Sequence, residues 1–382
     1  MPSLFQVLLI SLSLAGPTDP VPARFEAIAH QAEVARSENR VQDAIRLYRQ
    51  GTRLRPSWTE GWWYLGTLLY DQDRFSEANI VFQHVFAGAA YGWPAHAFLG
   101  LCEYETGNYD DALKQFRAWA DAGWPGTSQL RDVAVFHFAL LLTRDGKFVE
   151  SLYLLATLAS RLGDNPELAE AMGLASLRMR NLPENYPPDW RERIWLAGKA
   201  ALYAAQSPAD FERADEFAAM LESRYPTQPE VHFFRATLYR FEGKKEEAER
   251  EYREELKISP NHVPSLVALA AIDLEKAEVA EAGKLARQAA ESDPKDAEAH
   301  HLLGRVFLAT GNLRASASEL ETAKRLAPDN PGVRSHLAMV YTKLGRTQEA
   351  KAESAAFLVL KKKEEVMASP KEKLGEVRGK TH

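Results

Sequence analysis

Cysteine is almost missing from this chain: Cys102 is the only one in 382 residues. One thiol excludes an intramolecular disulfide and any multi-cysteine metal site. It stands in Leu101-Cys102-Glu103, without a base nearby in the sequence, and reads as a small apolar packing residue. Long apolar runs are also lacking. Beyond the N-terminal segment none reaches the roughly 18 residues of a membrane-spanning helix. Positive charge is not in excess either: 47 Lys and Arg stand against 53 Asp and Glu, for a net charge of −6. Nucleic-acid backbones need a concentrated basic surface, so a dedicated nucleic-acid binder is not indicated.

Catalytic signatures are missing too. The chain has no G-x-S-x-G, no G-x-G-x-x-G after a strand, no G-x-x-x-x-G-K-[ST] and no H-E-x-x-H. His300 and His301 are adjacent on one helix, so their side chains point about 100° apart and do not chelate together. His137, between Phe136 and Phe138, reads as packed. The acidic run from Glu246 to Glu251 reads as a solvated helix face, with Glu246 and Arg250 as i,i+4 partners. No cofactor, no metal and no catalytic residue is expected.

What is present begins with the N-terminus. Leu4 to Leu14 is an apolar stretch of signal-peptide length, and Ser13-Leu14-Ala15 before Gly16-Pro17 has the small-x-small pattern of a cleavage site. Residues 1–23 are therefore expected to be a signal peptide and short linker, giving an exported chain, periplasmic or secreted. No Lys or Arg precedes the apolar run, which keeps a cytoplasmic chain as the alternative.

A period of 34 residues organises the remainder. Pro226, Pro260, Pro294 and Pro328 keep that step. So do Ala236, Ala270, Gly304 and Ala338, and also Ala248, Ala282, Ser316 and Ala350. The N-terminal half has Ala32, Gly66 and Gly100 beside Ala44, Ala78 and Ala112. Independent series in one phase indicate stacked repeats. Each unit reads as a helix with apolar residues at helical spacing, such as Trp62, Leu65, Gly66 and Leu69. A short turn follows, often with glycine, as at Gly107, Gly146, Gly243, Gly311 and Gly345. A second helix then pairs a small residue with a large one a turn later, as Ala78 with Phe82 or Ala248 with Tyr252. Proline closes the unit.

Trp62-x2-Leu65-Gly66-x2-Leu69, then Ala78-x3-Phe82, resembles the tetratricopeptide repeat signature W-x2-L-G-x2-Y, A-x3-F. Leu69 stands where that pattern has Tyr. Leu303-Gly304-x2-Phe307, Ser316-x3-Leu320 and Pro328 follow the same scheme, and the resemblance covers nearly all of residues 24–358. It implies an all-α fold, a right-handed α-solenoid superhelix of about ten helix-turn-helix units. These begin near Phe25, Thr59, Trp93, Asp132, Pro166, Arg191, Pro229, Val263, Ala297 and Pro331. The unit at Pro166 has one helix, and the proline-rich stretch 181–190 breaks helicity. Two arrays are expected, 24–180 and 191–360, joined by that elbow and followed by a disordered charged tail at 361–382.

The resemblance further implies that first helices line a concave face that contacts peptides or partner helices. Helical geometry assigns Trp62 to the packing face and rotates Trp63 onto a stripe with Thr67 and Tyr70. The same stripe takes Tyr104 and Phe136, then Trp195, Lys199 and Tyr203, then Phe233, Thr237 and Arg240, then His301, Arg305, Ser335 and Met339. The clamp with which some family members hold chaperone carboxylates is not supported: Glu33, Thr67 and Leu101 stand where asparagines are needed. The leading reading is a non-enzymatic scaffold binding a protein or peptide partner through the stripe. Two others stand beside it. One is an enzyme or enzyme subunit with a cleft at the elbow, near Tyr186 and Trp190. The other is an assembly protein self-associating through its array ends, since Phe357 to Leu360 are apolar enough to want a cover. N-terminal sequencing of the purified mature protein checks export. A start at Gly16 is expected, and an intact Met1 or Pro2 speaks for the cytoplasmic alternative.

Overall fold

The computed structural model describes residues 20–85 and 92–368, with side chains over 23–85 and 94–362. The expected cleavage site and residues 369–382 lie outside the described residues. The chain divides into two compact units, Met1–Phe138 and Ala139–His382, with the division inside one helix. The first unit holds α1 (Pro20–Ser37), α2 (Val41–Leu54), α3 (Thr59–Tyr70), α4 (Phe75–Phe82), α5 (Gly92–Glu105), α6 (Tyr109–Asp121) and the start of α7 (Ser128–Arg144). The second holds the rest of α7 with α8 (Phe148–Leu162), the lone α9 (Pro166–Ser176), and the pairs α10 (Arg191–Ala205) with α11 (Phe211–Arg224) and α12 (Val231–Phe241) with α13 (Lys245–Ile258). It ends with α14 (Val263–Glu275) and α15 (Val279–Ser292), α16 (Ala297–Ala309) and α17 (Leu313–Leu326), and α18 (Pro331–Lys343) and α19 (Thr347–Ala368). Among the described residues every regular element is helical. The expected units are thus nine helical pairs and α9.

Within a pair, a small residue on the first helix faces a large one on the second, sixteen positions later. A β-carbon at Gly66 would lie 2.7 Å from the Phe82 ring, one at Gly100 2.7 Å from the Phe116 ring, and one at Gly304 2.6 Å from Leu320 Cγ. Phe82, Phe116 and Leu320 are wholly buried, each worth about 1.5–3 kcal/mol relative to exposure. Ala32 with Tyr48, Ala139 with Leu155 and Ala236 with Tyr252 repeat the combination, all buried. The small residue of the second helix also sits against the first. Where it is serine it hydrogen-bonds there: Ser151 Oγ donates to the Ala139 carbonyl at 2.8 Å and Ser316 Oγ to the Gly304 carbonyl at 2.7 Å.

The turns share one geometry. The residue after the first helix takes a left-handed conformation at Asn39, Asp73, Gly107, Gly146, Gly243, Ala277, Gly311 and Gly345. Its N–H and the next one bond back to the helix, as Gly107 to Tyr104 and Asn108 to Glu103. Arg178, after α9, occupies the same position with φ 52° and the same bonds, Arg178 to Ala175 and Met179 to Leu174. A side chain there costs about 1 kcal/mol relative to glycine.

The stretch 181–190 lies inside the second unit, and its flanking helices touch backbone to backbone. A β-carbon at Gly173 would lie 2.0 Å from the Ile194 carbonyl oxygen, and one at Gly198 1.8 Å from that of Ala169. That contact packs α9 directly on α10. Tyr186 donates a short hydrogen bond to Glu170, and Arg193 covers the Trp190 ring at 5.1 Å. Helix α19 continues to Ala368, because Lys361 to Glu365 are good helix formers and the next proline is Pro370. Leu358 and Val359 on it are 65% and 68% exposed, without a helix packed back over them among the described residues.

The glycine contacts make opposite demands at two sites. Gly66→Ala presses on a Phe82 ring already stacked on Phe98 at 4.9 Å, and should lower unfolding stability by about 2 kcal/mol. Gly283→Ala meets only Val306 Cγ1 at 3.3 Å, while gaining up to about 1 kcal/mol of helix propensity. It should stay within about 0.5 kcal/mol of wild type in the same urea titration. Equal losses would refute the close-approach account.

Candidate partner-binding stripe

In the first unit the stripe residues gather on one ring that the sequence did not single out, Phe98. Trp63 meets it edge to face at 5.4 Å and Tyr70 at 5.3 Å, and Trp63 also meets Phe82 at 5.8 Å. Burial pushes the Tyr70 phenol up to about 12. Thr67 Oγ1 turns back to the Tyr64 carbonyl at 3.1 Å. Tyr104 packs on Tyr109 at 5.4 Å and His137 at 4.7 Å. Glu33, at a clamp position, instead binds Arg36 and the Tyr48 hydroxyl, and Leu101 is buried. Cys102 is fully buried too, which drives its thiol up to about 12 and keeps it unreactive.

The adjacent tryptophans do not divide as expected. Trp62, assigned to the core, is half-buried: it stacks on His84 at 4.3 Å and donates Nε1–H to the Pro56 carbonyl at 2.8 Å. An indole N–H needs an acceptor, and the one available lies at the rim. Trp58, also half-buried, fills the space beside Gly51 and Gly61: β-carbons there would lie 2.6 and 2.1 Å from it.

In the second unit the stripe resolves into three patches. Trp195, Lys199 and Tyr203 meet around Phe217, with Trp195 edge-on at 5.3 Å and Tyr203 stacked at 5.7 Å. Asp164 ties Lys199 Nζ at 2.5 Å and the Tyr203 hydroxyl at 3.0 Å. Burial opposes the Lys199 charge, but these bonds outweigh it and raise its pKa, while the Lys199 hydrogen bond lowers that of Asp164. Lys199 and Tyr203 are therefore buried and engaged, whereas Trp195 is 44% exposed.

The second patch surrounds Phe233. Its ring meets Tyr252 at 5.8 Å and His262 at 5.0 Å, and Arg178 lies over it at 5.8 Å. Buried Glu255 accepts the Glu230 and Phe233 N–H groups at 3.0 and 3.3 Å. Arg240 is exposed at the far end of α12, with its charge felt by Tyr252. Ser265 Oγ lies 2.8 Å from His262 Nδ1, and Glu230 Oε2 lies 3.2 Å from His262 Nε2. Serine, histidine and carboxylate in sequence resemble a hydrolytic triad, but Ser265 is wholly buried and offers no substrate approach. In the third patch Arg305 stands beside Glu298 and His336, and His301 Nε2 lies 3.0 Å from His336 Nδ1. Burial pushes His336 down, with His301 and Arg305 adding to the effect.

A second recurring contact was missed at the sequence level. The closing proline presents its carbonyl to a side chain six residues on, which also reaches a partner nineteen residues further. His232 Nε2 lies 3.0 Å from the Pro226 oxygen and its Nδ1 2.7 Å from Glu251. His300 repeats this with Pro294 at 3.1 Å and Glu319 at 2.7 Å, and Arg334 with Pro328 at 2.8 Å and Glu353 at 2.9 Å. Leu266 and Leu285 occupy the equivalent places of the intervening repeat. The signal lay in the proline ladder itself, read only as a helix stop. Nor do Glu246 and Arg250 pair: Glu249 instead binds Arg253 at 2.9 Å and Lys276 of the next pair at 2.5 Å.

Glu222 joins His232 and Glu251, with ligand atoms within 4.8 Å of one another, a spacing that fits a metal ion. Both His232 nitrogens are already engaged, and Arg235 Nε lies 3.7 Å from Glu222. Because the His–Glu bridge recurs at His300 without a third acid, it is a packing device.

A ladder of helix pairs carrying amphipathic rings on its first helices defines a repeat scaffold for contact with other proteins. The chain belongs to the tetratricopeptide repeat family. Its repeat profiles match residues 31–91, 86–127, 267–331 and 302–357, and a second form matches 229–262. The chain is similar to human tetratricopeptide repeat protein 7B, with 31% identity over 141 residues, 37% of this chain. It spans only 16% of that relative's length. Among solved structures it shows a partial likeness to MamA from Desulfovibrio magneticus RS-1, with 19% identity over 40% of this chain and 86% of that one and a TM-score of 0.36. A further MamA structure has 15% identity over 45% and 93%, with a TM-score of 0.38.

The His232 bridge has a defined pH signature. Both atoms facing the ring are acceptors, so the Glu251 hydrogen bond above all, against the cost of burial, holds its pKa above the usual value. The bridge's stabilisation is complete below the unfolded pKa of about 6.5. It is lost as pH rises through the folded pKa. Urea midpoints between pH 6 and 9 should fall by an amount equivalent to about 1 kcal/mol. The double variant His232→Leu, Glu251→Leu, copying Leu266 and Leu285, should remove that component, and an unchanged pH slope would contradict the assignment.

Proposed function

We propose that this protein is a non-enzymatic scaffold that holds a protein or peptide segment along the first helices of its repeats, in an exported compartment. The observation that carries the reading is Trp195. It is a large amphipathic ring, 44% exposed, set on a patch already fixed by the Lys199–Asp164 ion pair. Leaving such a ring open has a hydrophobic cost, and tryptophans of this kind are enriched at binding hot spots. The rigid backing matters as much, because a preordered ring loses little entropy on binding. Family membership and the dedication of each helix pair to stacking support a binding role over catalysis.

Peptides selected from a random display library on the immobilised protein test this. Trp195→Ala should weaken the selected peptides at least tenfold, with the helical circular-dichroism signal intact. Phe233→Ala should weaken a subset. Peptides indifferent to both changes would place binding elsewhere and sink the reading.

A further inference from the structure

Arg178 is an arginine where other turns of the chain place glycine. Its φ of 52° is a left-handed conformation, and the residue it approaches, Glu230, is left-handed as well, with φ 73°. Six non-glycine residues among those described adopt positive φ, and these two bring opposite charges together. Backbone strain retained at facing positions indicates that their side chains are wanted there.

The fit between them is incomplete. Arg178 Nε lies 3.7 Å from Glu230 Oε2, beyond hydrogen-bond distance. Glu230 Oε2 is buried without a hydrogen-bond partner, as is His262 Nε2 beside it. The guanidinium carbon lies 4.7 Å from the Phe148 ring and 5.8 Å from Phe233. Burial above all, with Arg180 adding to it, lowers the Arg178 pKa, while Glu230 and Asp296 oppose that shift. The Glu230 carboxylate and two aromatic rings face the guanidinium, while the tether of Arg178 to its own turn keeps it short of the carboxylate.

We propose that this pocket, at the N-terminal ends of α12 and α14, receives an arginine side chain of a partner peptide, and that Arg178 is its displaceable internal occupant. The inference rests on the stripe reading, since Phe233 belongs to that stripe. An untethered guanidinium can advance to Glu230 Oε2, which His262 Nε2 faces at 3.2 Å without a hydrogen bond, and form the charge-assisted bond that Arg178 does not. The wild-type chain then binds more weakly than its pocket allows, because the competent state must first release Arg178.

The test uses the full chain and Arg178→Gly, which restores the turn residue of other repeats and so should be at least as stable. Isothermal titration with a blocked Gly-Arg-Gly peptide should show about tenfold tighter binding to Arg178→Gly than to wild type. The citrulline peptide, equal in shape but uncharged, should not bind. Adding Glu230→Gln should return the affinity to the wild-type level. Equal affinity for wild type and Arg178→Gly, or for the arginine and citrulline peptides, overturns the proposal. Should Arg178→Gly fail to fold, Arg178→Gln decides by the same criteria. The stripe reading fails separately: a gain in Arg178→Gly alongside library peptides indifferent to Trp195→Ala and Phe233→Ala refutes that reading alone. Loss of library peptides without a gain refutes the pocket alone.

Discussion

The distance between the two helices of a pair controls the rest of this molecule. A small residue on the first helix and a large one sixteen positions later form one mechanical element, seen at Gly66 with Phe82, Gly100 with Phe116 and Gly304 with Leu320. Ser151 and Ser316 hydrogen-bond directly to the opposite backbone across that interface. Interiors packed this closely accept few changes in volume. The outward face of each first helix is therefore set by a contact on its opposite side. Trp195 can be presented at an angle fixed by Phe217 and Asp164 because Gly198, on the same helix, lies against the backbone of α9.

Between pairs the chain uses a more permissive device. The proline that stops one helix also offers a carbonyl to the next. Histidine, arginine and tryptophan all answer it, at His232, Arg334 and Trp62. Leucine at 266 and 285 occupies the equivalent positions in another repeat. A half-buried charged bridge and an apolar contact of similar size can serve equally, since the Coulombic gain of the first is offset by desolvation. The contact made by the residue that meets the proline thus tolerates chemistry that varies from unit to unit, while the small–large contact at the centre of a pair is more restricted.

Most of the helical plan was legible in the sequence because it is periodic. The expected starts at Thr59, Pro166, Arg191, Val263, Ala297 and Pro331 coincide with helix starts in the structure. The turn positions were partly hidden, because asparagine, aspartate and alanine replace glycine at Asn39, Asp73 and Ala277. Side chains were less legible. Angular position assigned Trp62 to the core and Trp63 to the stripe, but both are half-buried, and it could not reveal that Trp58 packs beside Gly51 and Gly61. Arg178 was invisible for a different reason. Its partners Glu230 and His262 lie far along the chain, and no period links them to it.

Contacts in a repeat array normally run from each unit to the next, so that stability is close to a sum of local and nearest-neighbour contributions. Arg178 departs from that rule. It reaches over the whole α10–α11 pair to the start of α12. A tie between units that are not neighbours couples their melting, weakly here because the ion pair is long and partly exposed. The α10–α11 pair lies inside a closed loop, and its loosening must stretch or release that tie. This stretch of the second unit carries one weak coupling beyond nearest neighbours in an otherwise additive chain, and whatever displaces Arg178 also removes it.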